Sequence, residues 1–162
     1  ICFDRLQRYR VLKQADLVLL MTLFPQKFTT AQKKAVWDFY EPITLHDSTL
    51  SYGTHALLAA QLAMKEKAWD YFCKSLYLDL EDVMNNTGNE GLHLAALGAT
   101  WQALFFGFAG LRFEDNEPKA YPFLPDNWSG LRFTFWYKGR KWRFEAQRRD
   151  DNTVESNLHP VL

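Results

Sequence analysis

The 162-residue sequence lacks a net charge: nineteen lysines and arginines balance nineteen aspartates and glutamates. Without a net field there is nothing to hold a polyanion or an anionic membrane, so a nucleic-acid or membrane-surface role is excluded as an expectation. Cysteine is nearly absent, with only Cys2 and Cys73. They have no metal-ligand spacing and make no disulfide framework, which fits a reducing, cytoplasmic compartment. The four histidines, His46, His55, His93 and His159, form no HExxH or Cys/His pairing, so no metal site is expected. Long hydrophobic runs are missing too. The longest, residues 17–24, is interrupted by Thr22 and is far too short to span a bilayer, and no charged-then-apolar signal opens the chain. There is no internal repeat at a fixed period and no low-complexity tract, which favours a closed helical barrel over a solenoid.

What is present is apolar and aromatic. Hydrophobic residues make up 48%, enough to bury a core, and aromatics 16%, a share that fills cores or lines sugar-binding and domain-contact surfaces. The chain opens at Ile1 directly before a helical pattern, as expected of a fragment of something larger.

The apolar period divides the chain in two. Over residues 12–110 it is helical. Leu17, Leu20, Met21 and Phe24 share a face in a segment that should stop before Pro25, because the residue preceding proline disfavours the α region. Thr29 or Thr30 can cap the next helix, which Pro42 ends. Ser51 can cap a third helix, and after a turn near Met64 a fourth carries Trp69, Phe72, Leu76 and Leu80. The cluster over residues 85–91 breaks the pattern before a fifth helix, 92–108, whose Ala95, Ala96, Gly98, Ala99 and Ala103 allow close approach of a neighbour. After Gly110 the period becomes two. Leu131, Phe133, Phe135 and Tyr137 alternate with polar or exposed partners, and after Lys138-Gly139 residues 140–147 alternate again, a β-hairpin. Residues 112–114 read as a further strand, and Pro118, Pro122 and Pro125 mark an extended connection. So few strands should need partner strands from outside the chain. Charge does not separate the halves: residues 1–110 hold 10 basic and 11 acidic side chains, and 111–162 hold 9 and 8.

Polar residues gather where the helices end: residues 12–16, 41–51 and 90–94. His46, Ser48, Thr49 and Ser51 lead into a helix whose first turn has unpaired N–H groups, a setting that can grip an anion such as phosphate. On spacing alone the favoured reading is plainer: Asp47, Ser48 and Ser51 are competing N-caps, His46 a loop residue, Lys13-Gln14 a solvated helix start and His93 a core histidine.

The blocks Lys13-Gln14-Ala15-Asp16, Trp37-Asp38-Phe39-Tyr40-Glu41-Pro42, Thr44-Leu45-His46-Asp47-Ser48-Thr49-Leu50-Ser51, Glu90-Gly91-Leu92-His93-Leu94-Ala95 and Gly98-Ala99-Thr100-Trp101 closely resemble glycoside hydrolase family 65. That family contains inverting phosphorylases of maltose, trehalose, kojibiose and nigerose. The resemblance implies a mainly α chain with a β tail. Residues 1–110 would be the C-terminal part of an (α/α)6 catalytic barrel, and 111–162 the start of a small β-sandwich domain. It implies that Lys13 and Gln14 bind the glucosyl unit, and that His46, Ser48, Ser51, His93 and Thr100 fall on the phosphate side. The general acid, a Glu of the earlier barrel, would lie outside this chain, so the 162 residues alone would not turn over substrate. The activity implied is phosphorolysis of an α-glucosidic disaccharide to β-glucose 1-phosphate and glucose, with phosphate as co-substrate and no cofactor. Two alternatives stand beside it: a hydrolase of the same family, and a non-catalytic truncated module that binds sugar or protein. Homodimerisation of the full-length protein is common in the family. The chain has Ser48-Thr49 where relatives usually carry two serines, and Gly98-Ala99 where a Gly-Gly pair is common, so Ala99 would restrict the backbone if that position needed positive φ.

Overall fold

The computed structural model describes residue 5 and residues 8–161, with the side chain of Glu90 excepted. The readings made at Ile1 and Cys2 lie outside the described residues. A helical unit is followed by two small antiparallel sheets.

Helix α1 (Asp16–Leu23) starts on an acidic residue, favourable at the positive end of the helix dipole, and stops before Pro25, which opens a 3-10 turn. It buries Val18, Met21 and Thr22, while Leu20 and Phe24 of the expected apolar face are exposed. Thr29 caps α2 (Thr30–Tyr40) in a capping box: its hydroxyl accepts from the Gln32 N–H and the Gln32 side chain accepts from the Thr29 N–H. Helix α3 (Ser51–Gln61) is buried at almost every position from Ser51 to Ala60, which makes it the central element, in contact with α1, α4 and α6. Helix α4 (Lys65–Leu76) is amphipathic, burying Ala68, Tyr71, Phe72 and Ser75 at helical spacing. It ends before Leu80, which lies in the following turn and is 76% exposed. A short α5 (Thr87–Glu90) sits inside the expected break. Helix α6 (Leu94–Gln102) begins two residues later than its pattern suggested and widens into a π-helical turn, Ala103–Phe108.

The small residues of α6 work in part as expected. A Cβ on Gly53 of α3 would lie 2.6 Å from the Cβ of Ala99, so these helices meet at the distance only glycine permits. Ala99 itself is helical, and the conditional strain there does not arise.

The π-helical turn joins the two units. Phe108 packs in the helical core with Val18, Trp37, Leu58 and Phe72, whereas Phe105 packs in a second core with Leu111, Leu124 and Phe144. At Gly110, φ is +62° and a Cβ would fall 1.9 Å from the Tyr121 carbonyl oxygen, so the chain can reverse there only with glycine. Strands β1 (Leu111–Glu114) and β2 (Glu117–Ala120) form one sheet; β3 (Gly130–Tyr137), β4 (Arg140–Arg148) and β5 (Val154–Pro160) form another in that order. The β3–β4 turn at Lys138-Gly139 has positive φ at both residues, as a two-residue hairpin requires. Two corrections follow. Pro118 lies in a strand, tolerated because β2 pairs only with β1 and so is an edge. Residues 154–160, whose sequence hardly alternates, form β5 because β4 supplies a ladder for them.

Candidate functional site

The site is built where helix ends meet. Helices α1, α3 and α6 all begin at this end of the helical unit and α2 finishes there. A parallel bridge ties the segment before α1 to the one before α3: the Leu12 N–H donates to the Ile43 carbonyl and the Leu45 N–H to the Leu12 carbonyl, both at 2.8 Å. The exposed Lys13 and Gln14 are thereby held beside residues 44–46. Gln14, Asp16, Tyr40 and Thr44 are among the residues lining a cavity of about 320 Å³ at this junction.

His46 leads the second cluster. Its φ of +54° is a left-handed conformation uncommon for a residue with a Cβ, and such conformations concentrate at functional sites. Its ring is held on both edges: Nδ1 lies 3.0 Å from Ser51 Oγ, and Nε2 lies 3.2 Å from the Tyr71 hydroxyl. The Tyr71 hydroxyl also lies 2.9 Å from Glu41, so its one proton is shared between that carboxylate and the imidazole, and Lys67 donates to the same carboxylate oxygen at 2.8 Å. Ser51 donates to the Ser48 carbonyl at 2.9 Å. Ser51 is therefore no N-cap: it is the first residue of α3, 1% exposed, with its hydroxyl turned back into the preceding loop. Tyr52 stacks on the His46 ring, with centroids 5.3 Å apart.

These surroundings set the charges. Burial, and next the neighbouring His55 ring 4.6 Å away, push the His46 imidazole down to about 4, so it is neutral at physiological pH. Burial also lowers His55, which is fully enclosed and bonds its Nδ1 to the Ser51 carbonyl at 2.8 Å. Burial alone would raise the Glu41 carboxyl, but the hydrogen bonds from Lys67 and Tyr71 outweigh it and hold it below the usual range.

His93 belongs to a third cluster. Its Nδ1 lies 2.5 Å from Asp79 Oδ1, and its backbone N–H donates to Asp79 Oδ2 at 2.8 Å. Asp79 is held below the usual carboxylate range, chiefly by the His93 side chain. With Asp79 on Nδ1, Nε2 is the ring nitrogen left for another partner. Thr100 is buried, its hydroxyl donating to the Ala96 carbonyl at 2.9 Å and lying 2.5 Å from Ser75 Oγ. The two histidine clusters do not touch. Helix α4 and the turn after it join them: Tyr71 meets His46, Ser75 meets Thr100 and Asp79 meets His93, at intervals of four residues.

Sequence reasoning missed Tyr71, Asp79 and His55 as partners. Tyr71 and Asp79 lie 25 and 14 residues from the histidines they contact, and no local spacing reports such pairs. Asp47 is exposed and accepts no hydrogen bond from the described residues. No group of three or more His, Cys, Asp or Glu able to hold a metal occurs among the described residues. No described helix is long and apolar enough to cross a membrane.

Imidazoles and hydroxyls lie at the same end of the helical unit as the exposed Lys-Gln pair, a polar arrangement of the kind that can hold an oxyanion next to a hydroxylated ligand. Comparison with known proteins gives this class a family. The glycosyl hydrolase family 65 central catalytic domain matches residues 1–102, and the family's C-terminal domain matches residues 111–157. The chain belongs to glycosyl hydrolase family 65. It is 42% identical over 134 residues to an α,α-trehalose phosphorylase of Thermoanaerobacter brockii, covering 83% of this chain and 17% of that protein. To a kojibiose phosphorylase of Halothermothrix orenii it is 38% identical over 157 residues, covering 97% and 20%. A solved structure of a candidate kojibiose phosphorylase from the human microbiome superposes with a TM-score of 0.89 at 28% identity, over 100% of this chain and 22% of that one. The chain thus spans about a fifth of the length of these relatives.

Proposed function

We propose that this chain is part of an inverting disaccharide phosphorylase, which uses phosphate to convert an α-glucosidic disaccharide to β-glucose 1-phosphate and glucose. Phosphate oxygen attacks C1 as the glycosidic C1–O bond breaks, inverting the anomeric centre. The leaving oxygen takes its proton from a general acid elsewhere in the full-length protein. Phosphate is already an anion and needs no base; it needs its charge held in line with C1, which hydroxyls and imidazoles do. An inverting hydrolase instead needs a carboxylate base to activate water.

The supporting observation is that two site carboxylates are already committed. Glu41 accepts from Lys67 and Tyr71, and Asp79 accepts from His93. In this reading Lys13 and Gln14 hold the glucosyl unit and Ser48 and His93 face phosphate, while His46 and the buried Ser51, whose polar atoms are engaged by each other, by Tyr71 and by the Ser48 carbonyl, support that side from behind. Thr100 joins them with the weakest geometry, since its hydroxyl is engaged by Ala96 and Ser75. Residues 1–110 act as the end of an (α/α)6 barrel and 111–162 as part of a β-sandwich domain. The earlier barrel would come from the rest of a cytoplasmic, homodimeric protein, without which this chain is inactive.

The test is a panel of maltose, trehalose, kojibiose and nigerose given to the full-length protein with and without phosphate. Turnover is expected only with phosphate, and His93→Ala should raise the phosphate KM. Phosphate-independent turnover abolished by Asp47→Asn would establish a hydrolase instead. No turnover of any disaccharide would leave a binding module.

A further inference from the structure

At the other end of the helical unit, a cleft of about 710 Å³ opens between it and strand β1. There α3 finishes at Gln61 and α2 begins, with Lys33 in its first turns. Lys33 is 9% exposed, and its ammonium donates to Gln61 Oε1 at 3.0 Å. Among the described residues it has no carboxylate partner. Arg112 of β1 lies across the cleft, donating from Nη1 to the Phe106 and Leu111 carbonyls at 2.7 Å, again with no carboxylate ion pair among the described residues. The amide nitrogen of Gln61 is buried and has no acceptor. Two carboxylates, Glu114 and Asp115, reach this cleft, but Lys119 pairs with both, at 3.2 and 3.4 Å. Burial, and after it the charge of Arg112, lower the Lys33 ammonium below the usual lysine range.

Lys33 is buried and Arg112 half-buried beside it, and Glu114, already paired with Lys119, offsets only part of the Arg112 charge, so the pair of cations favours an added anion. The unfilled groups here are all donors: the remaining Lys33 protons, the Gln61 amide and the rest of the Arg112 fork. Beside them stand groups suited to a sugar ring, the Gln102 amide and the rings of Phe106 and Phe113. The volume is in the range of small-molecule sites, roughly 300–1,000 Å³. We propose that this cleft binds a phosphorylated sugar, its phosphate between Lys33 and Arg112 and its ring against Phe106 and Phe113. The site is separate from the histidine clusters and stands independently of the phosphorylase reading.

Glucose 6-phosphate is a suitable probe, since it is neither substrate nor product of the proposed reaction. Calorimetric titration of the full-length protein should show one equivalent bound, with inorganic phosphate binding more weakly and glucose not at all. Lys33→Met removes one cation; Gln61→Glu supplies the missing carboxylate beside Lys33 and should preserve or raise thermal stability. Each should weaken glucose 6-phosphate binding roughly tenfold or more, with phosphorolysis unchanged, and His93→Ala should leave it intact. Should Lys33→Met fail to fold, Gln61→Glu carries the test. Absence of binding by the wild-type protein, unchanged affinity in Gln61→Glu, or loss of binding in His93→Ala would overturn the proposal. Equal affinity for inorganic phosphate would overturn its sugar component.

Discussion

Acidification should weaken the fold through His46, and His46→Asn should remove that sensitivity. In the folded protein the imidazole is pushed down to about 4 from an ordinary 6.5, mainly by burial and by His55. Below pH 6.5 the unfolded chain takes up a proton that the folded chain refuses until about pH 4. Between those values the unfolded state binds more protons, so stability is full above 6.5, falls as pH drops to about 4, and is flat below. Taken at face value, the interval corresponds to about 3 kcal/mol. His46 is only half-buried, so solvent screening reduces this to about 1–2 kcal/mol. Asparagine tolerates the left-handed backbone at this position, and the substitution therefore removes the titrating ring without adding strain. His55 titrates in the same sense and stays in the variant, so the difference between the proteins reports His46 together with its coupling to His55. The assay is urea unfolding of the full-length wild type and variant at about pH 7 and about pH 4. The wild type should lose about 1–2 kcal/mol more than the variant. Parallel losses would refute the argument, because they would mean that His46 is solvated enough to titrate alike in both states.

Two further outcomes are expected. Gly53→Ala should destabilise by about 1–3 kcal/mol, because its Cβ would meet that of Ala99 at 2.6 Å, and a variant melting like wild type would show the helices able to part. Asp79→Asn removes the carboxylate that orients His93, and the phosphate KM should rise roughly tenfold with little change in thermal melting; an unaltered KM would place His93 outside the phosphate site.

What the sequence by itself determined about this protein is local in origin. The stop before Pro25, the cap at Thr29 and the hairpin turn at Lys138-Gly139 each depend on φ restriction or a hydrogen bond within a few residues, so spacing alone announces them. The family blocks, in which Lys13, Gln14, His46 and His93 stand, were legible as well. Only the tertiary structure decided how those residues are held. Ser51 reads as a cap in sequence, yet α3 is buried so completely that its hydroxyl turns inward to the Ser48 carbonyl and the His46 ring. Leu20 and Phe24 fit an apolar face and remain exposed, because the residues α1 presents to α3 are Val18, Met21 and Thr22. Strand β5 has almost no alternation of its own and exists because β4 offers a free edge. Neutrality over the whole chain, which argued against a polyanion, concealed a local unevenness, since Lys119 pairs with Glu114 and Asp115 while Lys33 and Arg112 make no direct ion pair among the described residues. The physical reason is common to all of these: propensity and turn chemistry act over a few residues, whereas burial, charge pairing and imidazole orientation depend on groups distant in sequence that only packing brings together.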